Sequence, residues 1–93
     1  MDNDNRMNLR IAGSSNPASV AGSAVKNISE GREVTLTAIG AGAVNQMLKA
    51  ATIARSMIAS NGGNLYFTSG FANEIVNGER KTAMKIFLFS GKI

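Results

Sequence analysis

Most of the chemistry open to proteins is closed to this chain by its residue types. With His 0 and Cys 0 it lacks the commonest general base, the thiolate nucleophile, and the commonest nitrogen and sulfur ligands for metals. Of the 6 carboxylates, Asp2 and Asp4 lie at the N-terminus. Glu30, Glu33, Glu74 and Glu79 fall in or beside turns, with no spacing that pairs two of them for acid–base work. A serine–histidine or cysteine–histidine mechanism is impossible within the chain, so no enzyme, cofactor, metal or small-molecule substrate is expected.

What the remaining residues can do is hold an anion. Gly40-Ala41-Gly42 precedes a helix, where free N–H groups and the helix dipole favour negative charge. A phosphate can dock there with Asn45 or Lys49 assisting. Alternatively, the glycines serve only a tight turn packed on a neighbouring subunit, since the loop lacks the Lys-Ser/Thr ending of a P-loop. Ser14, Ser15 and Asn16 precede another helix and can donate to phosphate oxygens; the alternative is that they cap and turn, which explains Asn16 better. Arg80 and Lys81, beside a hairpin turn, form either a basic arm or two solvated charges.

The elements that position these residues follow from hydrophobic periodicity. Met7 to Ala12 alternates as a half-buried strand, with Leu9 and Ile11 on one side and Asn8 and Arg10 on the other. Asn16-Pro17 opens a helix whose face carries Val20, Ala21, Ala24, Val25 and Ile28, closed near Gly31. A second strand spans Glu33 to Ile39, with Val34, Leu36 and Ala38 inward and Thr35 and Thr37 outward. Ala43 to Ser60 is a long helix with an apolar stripe of Val44, Met47, Leu48, Ala51, Ala54 and Ile58. Its polar stripe is Asn45, Lys49, Thr52 and Ser56. Asn64 to Ser69 is a third strand with Leu65 and Phe67 inward, and Gly70 to Glu74 reads as irregular. Asn77-Gly78 marks a tight hairpin before a last strand, Lys81 to Phe89, with Met84, Ile86 and Leu88 opposed to Lys85, Phe87 and Phe89.

The order β-α-β-α-β-β predicts an α/β two-layer sandwich: a four-stranded mixed sheet with two helices on one face. The 93 residues make one domain over 7–93 behind a polar tail, 1–6. That tail lacks the apolar core of a signal peptide, and no segment reads as a membrane span, so a cytoplasmic location is expected. The net charge of +4 is compatible with a nucleic-acid partner. The open face of the sheet would present Arg10, Thr35, Thr37, Tyr66, Lys85 and Phe87. Basic residues among aromatics can stack single-stranded bases, but the few aromatics favour a subunit interface there.

The run Leu36-Thr37-Ala38-Ile39-Gly40-Ala41-Gly42-Ala43-Val44-Asn45-Gln46, continued by Lys49-Ala50 and Ile53-Ala54-Arg55, resembles the signature of the stage V sporulation protein S family. Ser15-Asn16-Pro17-Ala18-Ser19-Val20-Ala21-Gly22, Asn77-Gly78-Glu79 and Thr82-Ala83-Met84-Lys85-Ile86 resemble that family's first helix and terminal hairpin. The central segment is also similar to the Alba family of chromatin and RNA-binding proteins, with Ile53-Ala54-Arg55 in the place of their late Ile-x-Arg element. The resemblance implies an Alba-like fold, nucleic-acid binding by dimers, and a role in spore development, including coat assembly and septation. The charge pattern departs from Alba: Thr37 and Ile39 stand where Alba proteins have basic residues, and Ser14, Ser15 and Asn16 replace loop lysines.

Three functions remain in view. The first is a nucleic-acid-binding regulator, DNA or RNA, acting as a dimer or tetramer through phosphates. The second is a self-associating assembly protein, whose small-residue helix faces (Ala21, Gly22, Ala24; Ala50, Ala51, Ala54) suit close subunit packing. The third is an anion sensor using the glycine loop, which requires a closed pocket at Gly40 to Gly42.

Overall fold

A computed structural model describes residues 5–92. Six elements follow in order: β1 (Arg6–Ile11), α1 (Pro17–Ser29), β2 (Glu33–Ala38), α2 (Ala41–Ala59), β3 (Gly63–Val76) and β4 (Glu79–Lys92). The tail expected over residues 1–6 falls largely outside the described residues, and Arg6 already opens β1.

Local chemistry accounts for the ends of these elements. Asn16 caps α1 by accepting from Ser19 N at 3.1 Å, and Pro17 occupies the first turn, where its missing donor costs nothing. Asn77 and Gly78 have φ of 52° and 81°, the positive pair a two-residue type I′ hairpin requires.

The sheet order is β1-β2-β4-β3. β1 and β2 run parallel, with Leu9 opposite Leu36. β4 is antiparallel to both β2 and β3, so it fills the space between them. This is the expected mixed sheet, with α1 and α2 packed together on one face. Gly70 to Glu74, expected to be irregular, is instead regular strand. β3 and β4 pair without interruption from Gly63↔Lys92 to Val76↔Glu79. The long partner strand supplies every ladder bond that a lone irregular segment would lack.

The core lies between sheet and helices. Val34, Leu36, Met47 and Ile86 are almost fully buried, each worth about 1.5–3 kcal/mol of transfer free energy. Ala21, Ala24, Ala51 and Ala54 join them. The small-residue faces expected to meet another subunit are thus largely used within the chain, where alanine lets the helices approach closely. Leu48, expected on the apolar stripe of α2, is 42% exposed, and Phe67, expected inward on β3, is 46% exposed. Phe67 is on an edge strand and Leu48 at the flank of its helix, where packing covers only one side of each.

Buried side-chain nitrogens and oxygens are all partnered among the described residues. Asn27, which carries no distinctive sequence signal, donates to Ser23 O at 2.8 Å and accepts from Arg32 Nη1 at 3.1 Å, tying α1 to the turn after it. Thr37, expected on the exposed outer face, is 1% exposed. Its hydroxyl donates to Asn8 Oδ1 at 2.9 Å, and it sits between Arg10 of β1 and Lys85 of β4 in the sheet register.

Candidate nucleic-acid interface

Parallel pairing of β1 and β2 brings both following loops to the same end of the sheet. Gly13 and Gly42 meet there: a Cβ on Gly42 would lie 4.0 Å from Gly13 Cα. Gln46 Nε2 donates to Ser15 O at 2.9 Å, locking α2 to the first loop. The two helix N-termini therefore lie side by side, and each favours an anion through its free N–H groups and dipole.

The two termini differ. At α1 the polar side chains are already engaged. Ser15 Oγ accepts from Ala12 N at 2.8 Å and Asn16 Oδ1 caps the helix, which leaves Ser14 as the uncommitted hydroxyl of that loop. At α2 the cap is Gly40, with φ 92° and ψ 155° and no side-chain cap. That conformation is closed to residues with a Cβ, and the helix start is left with free N–H donors.

Asn45 and Lys49 continue from this end along the exposed stripe of α2. They face Asn16, Pro17 and Ala18 across an open cleft of about 500 Å³ whose floor includes Leu48 and Ile53. The cleft is lined by the helices rather than by Gly40 to Gly42, so it is not the closed pocket a loop-based anion sensor needs. Lys49 and Arg55 form no ion pair among the described residues.

Arg80 and Lys81 stand apart from this cluster. β2 pairs with β4 only as far as Ala38↔Met84, while β3 and β4 continue to Val76↔Glu79. The hairpin therefore overshoots the sheet as an arm, at the same end as the loops. Arg80 lies opposite Ile75 and Lys81 opposite Glu74, so the two bases occupy opposite faces of the arm. Lys81 is also 3.5 Å from Glu79, and with Glu74 the arm tip is charge-balanced rather than basic.

One contact has no counterpart in the sequence pattern. Arg10 on edge strand β1 reaches Glu74 on the opposite edge strand at 2.6 Å, which requires the arm to bend across the open face. Alternation places Arg10 on that face, but no local signal links residues so far apart. No helix among the described residues is long and apolar enough to cross a membrane.

The sheet order, the paired helices and the overhanging hairpin define an Alba-like α/β sandwich. Alba from Thermoplasma volcanium shares this fold with a TM-score of 0.59, covering 92% of this chain and 100% of that one at 8% identity. Residues 7–90 match the family model of Stage V sporulation protein S (SpoVS). The chain belongs to the stage V sporulation protein S family.

Proposed function

We propose that this protein is a non-enzymatic, cytoplasmic nucleic-acid-binding regulator that acts as an oligomer, mainly through phosphate contacts. The observation that carries this reading is the convergence at one end of the sheet of two loops, two helix N-termini and a long hairpin arm. Gly40, Gly42 and Ser14 offer backbone and hydroxyl donors, and Asn45 and Lys49 extend the site along α2. Arg80 and Lys81 contribute from the arm. Phosphates bind such donors without base specificity. Family membership and the similarity to Alba favour the same reading, with spore development as its setting.

Self-association has its own surface. Phe67, Phe71 and Ile75 line one face of β3 and are 46%, 77% and 69% exposed. Because β3 is an edge strand, its outer N–H and C=O groups are unpaired by the sheet. A second copy can cover both. The same stripe is what favours the alternative, an assembly protein that binds no nucleic acid.

Fluorescence anisotropy with duplex DNA, single-stranded DNA and RNA across a salt series tests the proposal. Affinity is expected to fall steeply with salt. Lys49→Ala, Arg80→Ala and Lys81→Ala are each expected to reduce that slope by about 0.9 for every duplex phosphate they leave without a cation. Absence of binding at low salt would overturn the proposal in favour of the assembly role. Sedimentation of Phe71→Lys is expected to show a smaller species than the parent protein.

A further inference from the structure

The open face of the sheet holds three aromatic side chains that the core does not use. Tyr66, Phe87 and Phe89 are 44%, 43% and 48% exposed. Tyr66 lies directly across from Phe89, with ring centroids 5.8 Å apart and planes at 29°. Phe87 is the next residue of β4 on the same face, about 7 Å along the strand. One glycine makes room for a ring: a Cβ at Gly91 would come within 3.1 Å of Tyr66 Cε2.

Beside the aromatics lies a shallow cleft of about 280 Å³, lined by Arg6, Met7, Asn8, Thr35, Lys85 and Phe87. Lys85 forms no ion pair among the described residues, and Arg6 meets Glu33 only at 3.9 Å with both side chains well exposed. Such an exposed pair is weak and easily exchanged for another anion. Aromatic faces next to free cations and to amide and hydroxyl groups are the features that hold unpaired bases and their backbone.

We propose that this face binds single-stranded nucleic acid, with bases stacked on Phe87, Phe89 and Tyr66 and phosphates held by Lys85 and Arg6. The inference rests on the nucleic-acid reading above and deepens it, because it names an unpaired strand as the ligand and a second surface as its site. A second copy fits this face less well: a two-fold contact through it would bring Lys85 and Arg6 of both copies into one interface. Of the acids on the face, Glu74 is already engaged by Arg10 at 2.6 Å. The stripe of Phe67, Phe71 and Ile75 on β3 offers a second copy a more apolar and more exposed surface.

Tyr66 is the one tyrosine in a chain with Trp 0, so intrinsic fluorescence reports on this face alone. The full chain is titrated with a short oligothymidylate, with an abasic strand of the same phosphate number, and with a duplex. Oligothymidylate is expected to quench Tyr66 and to bind about tenfold or more tighter than the abasic strand. Phe87→Ala is expected to remove most of that difference and leave duplex binding within about twofold, since stacking supplies the base-dependent part alone. Phe87→Leu keeps the apolar bulk without the π face and is expected to behave in the same way, even if the alanine variant folds poorly.

Equal binding of the thymidylate and abasic strands, with Tyr66 unquenched, would overturn this inference while leaving phosphate binding at the loops intact. Failure to bind any nucleic acid would overturn both. Loss of oligomers in Phe87→Ala with unchanged oligothymidylate affinity would mark the face as a subunit interface and overturn this inference alone.

Discussion

The two faces of the sheet are built from the same alternating strands, yet they meet different fates. On the helix side Val34, Leu36, Ile86 and Leu88 are sealed beneath alanine-rich helices. On the other side Tyr66, Phe87 and Phe89 stay more than two-fifths exposed, while Thr37 and, at the base of the arm, Ala83 are buried. Small side chains allow the helices to lie close, so the first face is closed by the fold itself. The second face is closed only where Arg10 and Glu74 draw the hairpin across it. Exposed aromatics that leave the core complete without them are the part of the molecule free to serve binding.

Substitutions on each face sharpen the contrast. Leu36→Ala is expected to cost about 2–5 kcal/mol in denaturant unfolding, because a fully buried position in the same core as Met47 and Ile86 leaves a cavity. A cost below about 1 kcal/mol would mean that the helices collapse onto the gap and the sealed face is soft. Gly40→Val follows, at about 1–3 kcal/mol, since a β-branched residue is strained at φ 92°. Its thermal midpoint is the check, and an unchanged value would show that the loop relaxes without penalty.

Thr37→Val removes the hydroxyl that donates to Asn8 and is expected to cost about 1 kcal/mol in the same denaturant measurement. Arg10→Ala tests the clamp on the arm. Stability is expected to fall by about 1 kcal/mol, as the change leaves the largely covered Glu74 without its partner, while amide exchange in Ala72 to Val76 quickens as the arm is released. Smallest of all, Phe87→Leu is expected to leave stability within about 0.5 kcal/mol, as its ring is largely outside the core. A large loss there would erase the distinction between the faces.

Much of the candidate site is legible in the sequence because its signals are local. Asn16-Pro17 and the Asn77-Gly78 turn each act within about four residues, and strand alternation assigns Lys85, Phe87 and Phe89 to the outer face. Leu48 and Phe67 lie on the elements the pattern predicts but are less buried than it implies. Period gives the side on which a residue lies, and the reach of the neighbouring element sets how far it is covered. The charge of the arm departs from its sequence for a similar reason. Arg80-Lys81 is basic along the chain, but Glu74 enters only through pairing with the opposite strand.

The residues by themselves determined the order of the six elements (though not the length of β3), the facing of most of their side chains, the Asn-Gly turn with its positive φ and the absence of histidine and cysteine chemistry. These depend on short-range sterics, capping and the periods of strand and helix. Only the tertiary structure decided that β4 lies between β2 and β3, that Gly13 meets Gly42, that Thr37 is buried, and that Arg10 and Glu74 join the sheet edges. The bonds of Thr37 and Arg10 span 29 and 64 residues of chain. Over such separations loop closure and competing pairings, not local preference, set the outcome.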